Sequence, residues 1–193
     1  MAANNKVKFG LKSVYFAKAT IATDGSATYS TPVAWPGAVS ISLDAEGEST
    51  PFRADNIDYW VGVSNNGYTG DFESALIPDA FRTDILNEVA DSNGVFIETA
   101  DTNVTQFALM FQFEGDQNNI RHVLYNCTAT RPSVSGQTTE DTIEPQTETL
   151  TITASSIYVP AISRNVVKGR CTADNTSTYT SWFTAVYVPT SLT

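Results

Sequence analysis

Residues Thr138–Ala154 read TTEDTIEPQTETLTITA, and the character of the chain changes in the middle of this stretch. Its first half sets Glu140, Asp141 and Glu144 among threonines ahead of Pro145. Such a segment has almost no apolar area to bury, which predicts a wet acidic loop over about 131–148. Its second half begins at Glu148 and then alternates, with Leu150, Ile152 and Ala154 on one face and Thr149, Thr151 and Thr153 on the other. Strict alternation is the signature of a strand with one buried face. A face made of threonine can stay solvated, pair with a neighbouring sheet or meet another subunit at little cost.

The same period recurs along the chain. AVSISLD, Ala38–Asp44, puts Val39, Ile41 and Leu43 on one face, and NIDYWVGV, from Asn56, does so with Ile57, Tyr59, Val61 and Val63. Between them lies Leu43–Asp55, polar and broken by Gly47 and Pro51, which predicts a projecting loop over about 43–55. SNNGYTGD, Ser64–Asp71, is dense in Asn and Gly and reads as irregular. TQFALMFQF, IRHVLYNCTA, ETLTITASSIYV and SWFTAVYV all read as strands. One helix stands out over about 78–90, in PDAFRTDILNEVA, where Phe81, Ile85 and Val89 repeat at four residues and Leu86 widens the stripe. DSNG, Asp91–Gly94, reads as its stop. Strands, one amphipathic helix, then more strands predict a mostly β chain: an antiparallel β-sandwich or barrel with one flanking α-helix, over 1–193 as a single domain.

At 193 residues the chain can bury one sizeable core, and its formal net charge of -10 opposes phosphate-driven binding of nucleic acid. The signs are segregated. Lys6, Lys8, Lys12 and Lys18 stand near the start without an acid between them, in an N-terminal arm of about 1–12 and just beyond it. Arg164, Lys168 and Arg170 cluster late, so a head-to-tail contact between like chains could set opposite patches face to face. No apolar run approaches the about 20 residues of a membrane span, and the lysines near the start interrupt any signal-peptide core. Retention in a cytoplasm follows as the expectation, and Cys127 and Cys171, far apart and without metal spacing, read as two buried thiols.

Chemistry is not indicated. His122 is the single histidine and no nucleophile motif accompanies it. Acid pairs such as Glu46 with Glu48 or Asp141 with Glu144 fall in loop-like surroundings rather than a cleft. No phosphate cradle or cofactor motif is present, and DSNG lacks the alternating ligands of a calcium loop.

Three stretches in order, PGAVSISLDAEGESTPFRADNIDYW, NNGYTGDFESALIPDAFRTDILNE and TTEDTIEPQTETLTITA, resemble the major tail proteins, or tail tube proteins, of phages with long non-contractile tails, especially those infecting Gram-positive bacteria. The resemblance implies a phage tail tube fold: a β-sandwich with one flanking helix and a long polar β-hairpin loop, assembled as six-membered rings stacked into a hollow tube through which the genome passes. It implies a virion protein made in the bacterial host cytoplasm, with a tape-measure protein and tail-end proteins as partners, no cofactor and no catalytic residues. The inter-subunit contacts it suggests are Lys6, Lys8 and Lys12 from the N-terminal arm, Asp44, Glu46, Gly47, Glu48 and Arg53 from the projecting loop, and Glu148, Thr149, Thr151 and Thr153 from the Thr-faced strand. Six chains at -10 each make a ring of about -60, a wall that would repel DNA from every side. Two other readings share parts of this pattern: the inner tube of a phage-tail-like bacteriocin or injection device, and a carbohydrate-binding β-sandwich module, which would want exposed aromatics on one face.

Overall fold

The computed structural model describes residues 7–101, 105–116, 118–134, 136–138 and 145–192. In chain order the strands are β1 Leu11–Ile21, β2 Ala27–Tyr29, β3 Val33–Ala34, β4 Ala38–Glu46, β5 Ser49–Ala54, β6 Ile57–Val63 and β7 Gly67–Ser74. Helix α1, Asp79–Asp84, comes next. It is followed by β8 Val89–Ala90, β9 Phe96–Ile97, β10 Phe107–Phe113, β11 Arg121–Ala129, β12 Glu148–Ser155, β13 Ile157–Val159, β14 Arg164–Val166, β15 Lys168–Cys171 and helix α2 Thr176–Ser181. The fold is mostly β, as the alternation predicts.

The main sheet is antiparallel throughout and runs β2-β1-β10-β11-β12-β7-β4, with β3 added to β1 and β15 to β11. β10 lies in its interior, between β1 and β11, and is covered on both faces. Phe107, Leu109 and Phe111 join Phe16, Trp35, Phe72, Phe81, Leu150 and Ile152 in one core. Ala108 and Met110 join Val123, Tyr125, Ile157, Val159 and Trp182 in a second core on the opposite side. Each fully buried large side chain contributes about 1.5–3 kcal/mol of burial, so these two clusters hold the body together. Edge-to-face aromatic contacts tie α1 into the first core, with Phe81 centred 5.1 Å from both Phe16 and Phe107 and 4.4 Å from Trp35.

Helix α1 is six residues long rather than the thirteen of the expected span 78–90. Its stop is Asn87, whose φ of 59° is left-handed, and the N–H of Leu86 turns back to the Phe81 carbonyl at 3.2 Å. Phe81 and Ile85 are buried as the stripe predicts, but Val89 is exposed and begins the β8–β9 hairpin. DSNG is the turn of that hairpin: the Asp91 carboxylate accepts from the N–H groups of Asn93 at 2.8 Å and Val95 at 2.9 Å.

The chain ends differ from expectation too. What reads as an N-terminal arm to residue 12 passes at Leu11 into β1, which pairs with β10 and is the longest strand. A bulge at Ser13, φ 51°, resets the register so that Val14, Phe16, Ala17 and Ala19 are buried while Lys12 and Lys18 point away from the core. SWFTAVYV is not a strand. α2 precedes Trp182, which is buried with its indole N–H donating to the His122 carbonyl at 3.4 Å, and Phe183 stacks on Tyr15 at 4.7 Å. Its apolar residues Trp182, Phe183, Val186 and Val188 belong to an irregular segment wrapped over the second core.

Strand β11 is shared. Its residues Arg121–Leu124 pair with β15, and Asn126–Ala129 pair with β12. The sheet therefore forks along β11, and the fork opens a cleft toward the inner face of β4 and β7.

Candidate functional site

The projecting element is a hairpin, and it sits further along the chain than the sequence suggests. β4 continues through Asp44 to Glu46, paired with β7, and the pairing resumes in β5 and β6. At the junction the Ser64 N–H donates to the Glu48 carbonyl at 2.9 Å and the Glu48 N–H donates to Ser64 Oγ at 2.9 Å. Gly47 is the joint, not a loop tip: a β-carbon there would stand 2.2 Å from the Ser64 carbonyl oxygen. SNNGYTGD is likewise not irregular to its end, because β7 starts at Gly67, where a β-carbon would meet the Ala154 carbonyl oxygen at 1.9 Å. The reversal falls at Asp55 and Asn56, φ 52° and 64°, the pair of left-handed residues that a two-residue hairpin turn requires. Pro51 lies inside β5, tolerated because that edge is open.

This places Ile57, Tyr59, Val61 and Val63, which the alternation assigned to a packed face, on the projection itself. Tyr59 is 70% exposed and Val63 79%, and Phe52, Ile57, Trp60 and Val61 are open as well. Phe52 and Trp60 are cross-strand partners on one face; Pro51 and Val61 are partners on the other. Both faces are apolar and neither has a layer beneath it. Exposed apolar surface of this extent marks a contact with another molecule.

The Thr-faced strand forms part of a polar grid on the outer face of β4, β7 and β12. Register aligns Ser40, Glu73 and Thr149, then Ser42, Asp71 and Thr151, then Asp44, Thr69 and Thr153. Thr151 Oγ1 donates to Asp71 at 2.9 Å, Thr69 and Thr153 share a hydrogen bond at 3.2 Å, and Ser40 and Thr147 donate to Glu73 at 3.0 and 2.6 Å. Those hydroxyls, Thr147 first, hold the Glu73 carboxyl below its usual range. The grid carries three acids and no lysine or arginine.

Glu148 stands apart from the grid and works within the chain. Its carboxylate accepts from the Ile77 N–H at 2.6 Å and from Arg82 Nη2 at 2.6 Å, fastening α1 to β12, while Arg82 Nη1 also reaches Glu88 at 3.3 Å. Arg53 is paired with Asp58 at 2.7 Å across the hairpin. Glu46 and Glu48 are exposed at the hairpin's base. Lys12 lies 3.8 Å from Glu114, and Lys8 sits over the Phe113 ring at 4.6 Å. Lys6 lies outside the described residues, as do 135 and 139–144 of the acidic stretch of 131–148, Glu140, Asp141 and Glu144 among them.

The residues that sequence reading missed line the cleft at the fork. It holds about 370 Å³ and is walled by Ile41, Leu43, Phe111 and Leu124, with Lys8 and Lys168 at its rim. Lys168 is held over the Tyr68 ring at 4.4 Å, and His122 stacks on Phe111 at 5.1 Å. Burial, and then the nearby charge of Lys8, keeps the His122 imidazole below its usual range; Asp116 opposes this and Lys168 and Arg170 add to it. The late basic cluster was the available signal, but only the fork brings it beside the N-terminal lysine.

A two-layer β body with a long, uncovered apolar arm and a hydrogen-bonded acidic face is built as a repeating unit of a larger structure. The chain belongs to the phage tail tube protein family, whose model, described as "Phage tail tube protein", matches residues 2–183. A search of curated proteins found no match. The protein is thus a structural component of a phage virion that polymerises with copies of itself into the tail tube, the conduit for genome delivery. Among the described residues no helix is long and apolar enough to cross a membrane.

Proposed function

We propose that six copies close into a ring, that rings stack through the β5–β6 hairpin, and that the polar grid of β4, β7 and β12 faces the bore. The observation that carries this reading is the hairpin: two apolar faces on a two-stranded ribbon are not stable uncovered in water, and only neighbouring copies supply the cover. Asp44, Glu46, Gly47, Glu48 and Arg53 then act through the ribbon, by setting its joint and its charge. Thr149, Thr151 and Thr153 belong to the wall rather than to a subunit contact, and Lys8 and Lys12 supply cations near an otherwise acidic surface.

The grid suits a conduit. The hydroxyls of Ser40, Thr147 and Thr151 are committed to its own carboxylates, those of Thr69 and Thr153 to each other, and its charge repels phosphate, so duplex DNA passes without specific binding. The protein has no catalytic role in this reading: the His122 ring is stacked against Phe111 and makes no hydrogen bond to a serine or cysteine among the described residues, and burial pushes the Cys127 thiol well up. A tape-measure protein and tail-end proteins complete the tail, and assembly takes place in the host cytoplasm, where free Cys127 and Cys171 suit a reducing compartment.

Replacing Ser49–Val63 by Asn-Gly tests the reading. The expected product is a soluble β protein with an unchanged circular dichroism spectrum and cooperative melting that forms no tubes by negative-stain electron microscopy. Normal tubes from the shortened chain would remove the hairpin from assembly.

A further inference from the structure

The cleft at the β11 fork is unexplained by the reading above. Its walls carry the apolar side chains of Ile41, Leu43, Phe111 and Leu124 beside the polar Ser42 and His122, Lys8 and Lys168 line it as well, and Arg170 stands opposite His122 in the β11–β15 register; no carboxylate pairs with these three cations among the described residues. Lys8 and Lys168 are instead parked over the Phe113 and Tyr68 rings. In a chain of net charge -10, a mouth that gathers unpaired cations is selective: the chemistry it fits is an apolar side chain flanked by a carboxylate.

Among the described residues, two exposed β-hairpins present that combination. In the β8–β9 hairpin, Val95, Phe96 and Ile97 are exposed, but Asp91 is consumed by its own turn and Glu98 is paired with Arg131 at 2.8 Å. At the end of the β5–β6 hairpin Ile57 is 61% exposed, and Asp55, two residues before it, carries no ion pair among the described residues. That hairpin also stands clear of the body, since its long-range packing is between its own two strands.

We infer that the cleft walled by Ile41, Leu43, Phe111 and Leu124 is the socket for the β5–β6 hairpin end of a neighbouring copy, taking Ile57 between its walls and Asp55 against Lys168 and Lys8. Tip and socket are different surfaces of one chain, so the contact is heterologous and propagates from copy to copy instead of closing a dimer. The cleft has room for the Ile57 side chain with its neighbour. His122, neutral on the floor beside Phe111, leaves the lysines as the cations that meet the carboxylate. The inference rests on the hairpin being an assembly element and adds the surface that receives it.

The first test is a cross-link. Full-length protein carrying Ile57→Cys and Lys168→Cys, assembled into tubes and oxidised, should give a covalent ladder on a non-reducing gel, whereas either single variant should not. Tubes that form and yield no ladder overturn the socket. The second test needs no new bond. Asp55→Asn and Lys168→Gln should each raise the protein concentration needed for tubes by about tenfold, and the double variant should be no worse than either. Additive losses, or none, overturn the pairing. A hairpin deletion that still forms tubes would instead sink the assembly role of the hairpin, so the two failures are separable.

Discussion

Strands β10, Phe107–Phe113, and β6, Ile57–Val63, are both rich in large apolar residues, and the molecule treats them oppositely. Leu109 and Met110, on opposite faces of β10, are fully buried, while Trp60 in β6 is 61% exposed. The difference lies in what surrounds them. β10 has β1 on one edge, β11 on the other and a core on each face. β6 has β5 on one edge, and among the described residues no core layer covers either of its faces. An apolar strand face states that it must be covered; it does not state by which chain. The body is covered from within, and the hairpin waits for a second molecule.

Substitutions at three places break or sharpen that contrast. Phe81→Ala removes the ring that ties α1 to Phe16, Trp35 and Phe107, and should cost about 3–5 kcal/mol in urea unfolding. A loss near zero would show that α1 is not part of the core it caps. Glu148→Ala leaves the Ile77 N–H without its acceptor and Arg82 with Glu88 alone, and should cost about 1–3 kcal/mol, with Glu148→Gln recovering part of it through the retained carbonyl oxygen. Tubes should still form from the folded Glu148→Ala protein; their absence would return Glu148 to the interface. The smallest effect on stability belongs to the hairpin. Phe52→Ala with Trp60→Ala should shift unfolding by no more than about 0.5–1 kcal/mol, because little of either ring is buried in the single chain. The same pair should abolish tubes, and a large loss of monomer stability would place the hairpin inside the body after all.

Much of the body was legible because period and burial coincide there. Leu150, Ile152 and Ala154 are buried and Thr149, Thr151 and Thr153 exposed, as their alternation requires, and Phe81 and Ile85 face the core as the helical stripe requires. The failures share one cause. Val89 continues a helical period past Asn87, Ile57–Val63 alternates without a core, and SWFTAVYV is rich in β-forming residues yet irregular; in each case the local pattern was satisfied by a structure other than the one it usually signals. Gly47 read as a break within the projecting loop, since a lone glycine does not reveal that Ser64 will pass against it.

By itself the sequence determined that the chain is a mostly β structure with a small helix, an acidic balance and a Thr-faced strand, because hydrophobic period, proline and net charge act through neighbours along the chain. Only the tertiary structure decided that β11 forks between β12 and β15, that Lys8 and Lys168 meet over one cleft, that Glu148 is spent on α1 and that the apolar hairpin is left bare. Those facts depend on pairs of residues tens of positions apart, such as Tyr68 with Lys168, whose proximity is set by strand register and by the fork, and no local pattern encodes either.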